Sequence, residues 1–231
     1  MPSTGSLHEA IRYGKDNFLL RRYINVHVQH MPKLFEYSNP ANERPRFECM
    51  LIKVQCQHIL ANGKRCNRFQ SIGAGFCSHH LQTDKCLKIA KSTVPECGLG
   101  LFACDRQKPS GAIVFAYHPK RKRGDFVIEY TGEVLSKLET ANRYGHANTA
   151  PYGARLNSHS NIDAACLRGA GSLANHKQRT HANARLVCAK SIVYIEATKP
   201  IRNGDEIFID YGREYNLGQE DITYSHRTRD I

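Results

Sequence analysis

The sequence predicts a mainly β protein, a β-rich α+β chain. Three runs carry that expectation: Phe126 to Thr131, Ile192 to Ile195 and Ile207 to Tyr211. In the first, Phe126, Ile128 and Tyr130 alternate with Val127, Glu129 and Thr131, the period-two pattern of a strand. The second, Ile-Val-Tyr-Ile, is too rich in β-branched and aromatic residues to be anything but a strand. In the third, Ile207, Ile209 and Tyr211 share one strand face, which sets a tyrosine at the edge of a β core.

With 231 residues, 41% of them hydrophobic, the chain is long enough for one substantial domain and a smaller module. No apolar run is long enough to cross a bilayer, and Met-Pro-Ser-Thr-Gly-Ser lacks the charged-then-apolar order of a signal peptide. A soluble intracellular protein with no membrane partner is expected. The formal charge of +12 favours polyanionic or acidic partners such as nucleic acid or nucleosomes.

In chain order, residues 1–48 read as an N-terminal extension. Leu7 and Ile11, and Leu19 and Tyr23, have helical spacing, and Pro32, Pro40 and Pro45 punctuate a loop. Residues 49–89 follow as a zinc-binding module. Its ligand pattern is Cys56-x9-Cys66-x10-Cys77-x2-His80. Zinc takes four N or S ligands in a tetrahedron, and a Cys-x-x-His pair lets one turn supply two of them. Gly63, Gly73 and Gly75 allow sharp knuckles between ligands. A Cys3His set of Cys56, Cys66, Cys77 and His80 is expected, with His79, His58 and Cys86 as alternatives for the fourth position. In an intracellular chain, nine cysteines clustered with histidines point to metal rather than to disulfides. Cys49, Cys97, Cys104, Cys166 and Cys188 are expected to be small core residues.

Beyond residue 90, Gly98 and Gly100 bracket a turn where backbone can approach a ligand. Ala112 to Tyr117 is strand-like, and Lys120 to Arg123 is a basic run that suits an import signal, a phosphate contact or a solvated loop. Ser136 to Asn161 reads as a helix and then a loop. Pro200 to Glu206 reads as a turn around Asn203-Gly204.

Four stretches in this order resemble the SET domain, the fold of most protein lysine methyltransferases. Gly98-Leu99-Gly100-Leu101-Phe102-Ala103 resembles the family's first motif, and Val127 to Val134 its second. Ile162-Asp163-Ala164, Asn175-His176 and Ala182-Asn183 resemble the third, and Gly204-Asp205-Glu206 leading to Tyr211 the last. The resemblance covers residues 90–215, leaving 216–231 as a tail. It implies a SET-type fold of several small sheets with a knot-like C-terminal crossing.

The resemblance further implies an S-adenosylmethionine-dependent protein-lysine N-methyltransferase acting on histone lysines or another lysine-bearing protein, placed in the nucleus or on chromatin. Tyr211 would orient the substrate amine, and Tyr130 would wall its channel. Gly98, Leu99, Gly100, Tyr152, Asn175, His176, Tyr211 and Tyr215 would hold the cofactor. The chemistry requires a neutral amine, so the site must lower a lysine pKa from about 10.4. The chain departs from the family pattern at three positions. Lys177 stands where a small Ser or Cys is usual, Ser172 where an Arg often contacts cofactor, and Ile209 where Phe or Tyr tunes the number of methyls added. These departures keep open an alternative, a catalytically degenerate SET module that binds chromatin or nucleic acid through the zinc knuckle and basic loop.

Overall fold

The computed structural model describes residues 50–95, 97–105, 121–144, 150–189 and 191–212, and its regular elements are mostly short strands. The expectations for residues 1–48, for Ala112 to Tyr117 and for the tail fall outside the described residues, as does Tyr215.

The first elements are β1 (Val54–Gln55), β2 (Phe69–Gln70), β3 (Ile72–Ala74), helix α1 (Ser78–Lys85), β4 (Leu87–Lys91) and β5 (Leu99–Ala103). Next come β6 (Phe126–Glu129), β7 (Glu133–Ser136), helix α2 (Lys137–Tyr144), β8 (Gly153–Arg155), β9 (Ser160–Asp163) and β10 (Arg168–Gly169). A 3-10 turn (Ala170–Leu173) then leads to β11 (Asn175–His176), β12 (Ala184–Ala189), β13 (Ile192–Ala197) and β14 (Phe208–Ile209). They form five small sheets among the described residues, as expected of a SET-type fold: β1-β2, β3-β10, β4-β5, β7-β9-β8 and β11-β14-β12-β13-β6.

The five-stranded sheet positions the site. Its last strand in sequence, β14, lies between β11 and β12 and runs parallel to both. Asn183 holds it there. Its Nδ2 donates to the Glu206 carbonyl at 2.8 Å, and its Oδ1 accepts from the Phe208 N–H at 2.9 Å. Ile195, Ile201, Ile207 and Ile209 pack with Leu101 and Leu87 beneath this sheet, each at most 1% exposed. Burying one such side chain stabilises by about 1.5–3 kcal/mol, so this cluster fixes the register of the strands that carry the site.

Strand β6 forms where the period-two pattern places it and is covered on both faces, since Val127, Ile128 and Glu129 are all buried. The 3-10 turn lies across it so closely that a Cβ on Gly171 would sit 2.7 Å from the Glu129 carbonyl oxygen.

Helix α2 begins with a reciprocal cap: the Ser136 N–H donates to Glu139 Oε2 at 2.7 Å and the Glu139 N–H to Ser136 Oγ at 3.1 Å. Its last turn is tied to the sheet by charge. Arg143 Nη1 donates to Glu133 at 2.8 Å and to Asp163 at 2.7 Å, and the Tyr144 hydroxyl donates to Asp163 at 2.7 Å. Asp163 is 1% exposed, so its charge depends on these partners.

Two expectations are corrected. The basic run is not simply a solvated or phosphate-facing loop. Arg121 is buried, with Nη2 donating to the Lys85 carbonyl at 2.6 Å, whereas Lys122 and Arg123 are exposed. Cys49 lies outside the described residues, and among the described ones the outlying cysteines are not a core set either. Cys97 and Cys188 are exposed, Cys104 is half-buried and Cys166 is disulfide-bonded. Cys188 lies on the open side of β12, where its thiol reaches the Leu156 carbonyl.

Candidate active site

Asn175 and His176 form β11, whose parallel pairing with β14 sets Asn175 opposite Phe208 and His176 opposite Ile209. Two residues beyond β14, Tyr211 turns back toward β11. Its N–H donates to His176 Nδ1 at 3.1 Å, and its hydroxyl donates to the Ala174 carbonyl at 2.9 Å. The first bond makes Nδ1 an acceptor and leaves the ring proton of a neutral imidazole on Nε2. Residues some thirty-five positions apart in sequence are thereby locked together by backbone and ring.

The Asn175 side chain faces the first motif. Its Nδ2 lies 3.0 Å from Ser92 Oγ, 3.1 Å from the Leu99 carbonyl and 3.0 Å from Glu206 Oε1. Glu206 is itself buried and accepts from the Ser92 hydroxyl at 2.7 Å, the Thr93 N–H at 2.7 Å and the Thr93 hydroxyl at 2.5 Å. Burial alone would push its pKa up, but the bonds from Thr93, Ser92 and Asn175 outweigh it and hold the carboxyl below its usual range. Gly100 is needed for this packing, since a Cβ there would lie 2.3 Å from Glu206 Oε1. Gly98, at φ +67°, has open space where a side chain would project, and Leu99 is 40% exposed beside it. Gly98, Leu99, Gly100 and Asn175 therefore form one polar corner with accessible backbone.

On the other side of residue 174 is a narrow cavity of about 60 Å³ whose lining includes Tyr130, Tyr152, Ser172, Leu186, Ile209 and Tyr211. The Tyr130 hydroxyl donates to the Tyr152 carbonyl at 2.9 Å. Burial, with Tyr211, Asp163 and Tyr152 nearby, pushes the Tyr130 phenol well above its ordinary pKa, so a neutral ring lines the cavity. Behind Tyr152, the Arg168 guanidinium stacks on the ring at 3.9 Å.

The family model of the SET domain matches residues 98–212. A SET domain occupies that stretch. No curated protein matches the chain. Among solved structures, an apo ctPRC2 with two substitutions in Ezh2 is similar at 29% identity and TM-score 0.44, over 55% of this chain and 15% of that one. ctPRC2 in an autoinhibited conformation bound to S-adenosylmethionine is similar at 27% identity and TM-score 0.42, over the same shares. The polycomb repressive complex 2 of Chaetomium thermophilum is similar at 27% identity and TM-score 0.42, again over 55% and 15%. The chain thus spans about 15% of the length of these matched chains.

Within the SET domain, the three positions that depart from the family pattern have their own occupations. Ser172 Oγ donates to the Gly169 carbonyl at 2.8 Å, Lys177 Nζ lies 3.8 Å from the Phe208 ring centroid, and Ile209 lines the cavity. Sequence reasoning missed Glu206 as a site residue although it stands in the last motif. Its partners Ser92 and Thr93 lie before the SET domain and carry no motif of their own.

The Cys3His cluster precedes the SET domain. The ligand atoms of Cys56, Cys66, Cys77 and His80 all lie within 4.8 Å of one another, and all four residues are buried. His80 Nδ1 is 3.3 Å from the sulfurs of both Cys56 and Cys77. These separations are close to the edges of about 3.5–3.8 Å in a tetrahedron built on zinc bonds to sulfur and nitrogen. Burial pushes the Cys56 thiol up to about 11, a cost that a bound cation would reverse. Burial and neighbouring His58 lower the His80 pKa, keeping the imidazole in the neutral form that a metal takes. His58, an alternative ligand by sequence, instead stacks on His80 at 3.7 Å and bonds Asp84 at 2.5 Å.

Proposed function

We propose that this chain is an S-adenosylmethionine-dependent protein-lysine N-methyltransferase acting on histone lysines. One observation carries the reading. An aromatic cavity walled by Tyr130, Tyr152 and Tyr211 lies one residue of backbone away from the polar corner of Gly98, Leu99, Gly100 and Asn175, and the Tyr211 hydroxyl is anchored between them at Ala174.

S-adenosylmethionine, when bound, supplies a methyl group on a cationic sulfur. Gly98, Leu99, Gly100 and Asn175 would hold it, with His176, Tyr211, Tyr152 and Tyr215. The chain's own contribution is desolvation, orientation and proton balance. A lysine amine among three tyrosines loses water, which favours its neutral form. The Arg168 cation behind Tyr152 adds repulsion against an ammonium. The Tyr211 hydroxyl then fixes the direction of the amine, and positioning of this kind accounts for much of a displacement's rate. A zinc ion held by Cys56, Cys66, Cys77 and His80 would brace the preceding segment, whose β3 pairs with β10 just ahead of the site. The basic charge suits a nucleosomal partner and a place on chromatin.

A second reading, a SET module that binds chromatin or nucleic acid without transferring methyl, is favoured by the inward turn of Ser172 and the stacking of Lys177 on Phe208. Incubating the protein with labelled S-adenosylmethionine, histones and ribosomal proteins, followed by mass spectrometry of lysines, separates the two. Label on histone lysines supports the enzyme. Nucleosome binding with no transfer to any acceptor supports the module.

A further inference from the structure

We propose that Glu206 is a positioning residue that sets the direction of the Asn175 amide, and through it the polarity of the group offered to the cofactor. The inference rests on the methyltransferase reading for the identity of the ligand, but its geometry stands without it.

Three oxygens converge on Asn175 Nδ2, and two of them, the Leu99 carbonyl and the Glu206 carboxylate, can only accept hydrogen bonds. Turning the amide over would set Oδ1 against both. The NH2 end therefore faces inward, and none of these contacts uses Oδ1. Glu206 cannot swing away to permit the turn. Its Oε1 is held by Ser92 and its Oε2 by two donors from Thr93. Its backbone bridges to Phe102, and the following Ile207 N–H donates to the Leu101 carbonyl at 2.7 Å. The missing side chain of Gly100 leaves the room that Oε1 fills. An outward Oδ1 is an acceptor, so the ligand group it takes is an N–H donor, such as an amine of the cofactor.

Glu206→Gln keeps the shape but replaces one oxygen with a second NH2. An Asn175 amide then meets a donor at residue 206 one way round and sets Oδ1 against the Leu99 carbonyl the other way, so its orientation is no longer fixed and part of the population presents a donor to the ligand where an acceptor had been.

The test uses the full chain, labelled with nitrogen-15. The Asn175 side-chain amide, identified by its loss in Asn175→Ala, should exchange with solvent slowly in the parent and about ten-fold or more faster in Glu206→Gln. By calorimetry with S-adenosylhomocysteine, Glu206→Gln should bind about ten-fold or more weakly. The double variant Glu206→Gln/Asn175→Ala should bind no more weakly than Asn175→Ala alone, because the two act through one contact. A merely structural Glu206 would give additive losses. If Glu206→Gln does not fold, Ser92→Ala, which removes one acceptor from Nδ2 and one donor from Oε1, should show the same pattern at smaller size. Equal affinity of parent and variant, or additive losses, overturns the proposal. A parent that binds no S-adenosylhomocysteine overturns the methyltransferase reading instead, and amide exchange then decides the orientation alone.

Discussion

The Tyr211 hydroxyl donates to the carbonyl of Ala174, the residue immediately before Asn175. One peptide thus separates the group that would orient the amine from the group that would hold the cofactor. The two groups share that peptide but face opposite ways, Tyr211 into the cavity and Asn175 toward Leu99, so removing either side-chain group alone should affect a different step.

Tyr211→Phe keeps the ring that packs against His176 and removes only the hydroxyl. Losing the bond to Ala174 should cost roughly 1 kcal/mol of stability, while methyl transfer should fall by about 10²-fold or more. Steady-state rates with a histone acceptor, alongside cofactor affinity, give the check: the rate drops and the affinity holds. A variant as fast as the parent would place the chemistry elsewhere.

The purified protein should carry about one zinc per chain, and Cys66→Ser should lose most of it. Elemental analysis by mass spectrometry decides the matter. Full zinc retention in the variant would mean that a different set of residues binds the metal. Because β3 pairs with β10, loss of metal should also lower the melting temperature of the SET domain.

Asp163→Ala removes the carboxylate shared by Arg143 and Tyr144 and leaves the Arg143 charge short of a partner. Arg143 keeps Glu133, so the loss is that of hydrogen bonds to a charged group, about 1.5–3 kcal/mol each, and the denaturation midpoint should fall clearly. Glu139→Ala, which loses only an exposed helix cap, should cost about 1 kcal/mol. Similar midpoints for the two variants would show that the network contributes little.

Glu206 has a pKa held below the carboxylate value of 4.5. A depressed native pKa means that the unfolded chain binds the proton more readily, so the contribution is complete above about pH 5 and fades as pH falls through the native value. Melting temperatures of the parent and Glu206→Gln should therefore converge between neutral pH and about pH 3. Parallel curves would mean that the carboxylate is not preferentially ionised in the native state.

How much of this was legible in the sequence depends on how local the signal is. Ile192 to Ile195 reads as a strand because its side chains alone settle it, and β13 contains it. The convergence of Asn175-His176 with Tyr211 was legible only through motif order, since neither stretch has a local pattern that points to the other. The Ser136-x-x-Glu139 cap is a local signal that the sequence displays in full. Glu206 was not readable as a site residue. Its donors Ser92 and Thr93 lie 114 and 113 positions away, and burial of a glutamate cannot be inferred from its neighbours. The aromatic cavity was legible as a set of tyrosines, but the Arg168 cation behind it was not, because stacking on Tyr152 is a product of the fold.

The insertion of β14 between β11 and β12 has a kinetic meaning. Neither neighbour can complete its hydrogen bonding before residues 208–209 arrive, and the closing contacts are long-range, the kind that slow folding most. On a ribosome, the earlier strands emerge with a gap between them that only the last one fills. Tyr211 follows two residues later, so the same event that seals the sheet delivers the tyrosine. Until the sheet has closed, the cavity that Tyr211 lines and the strand that carries Asn175 both lack one of their sides.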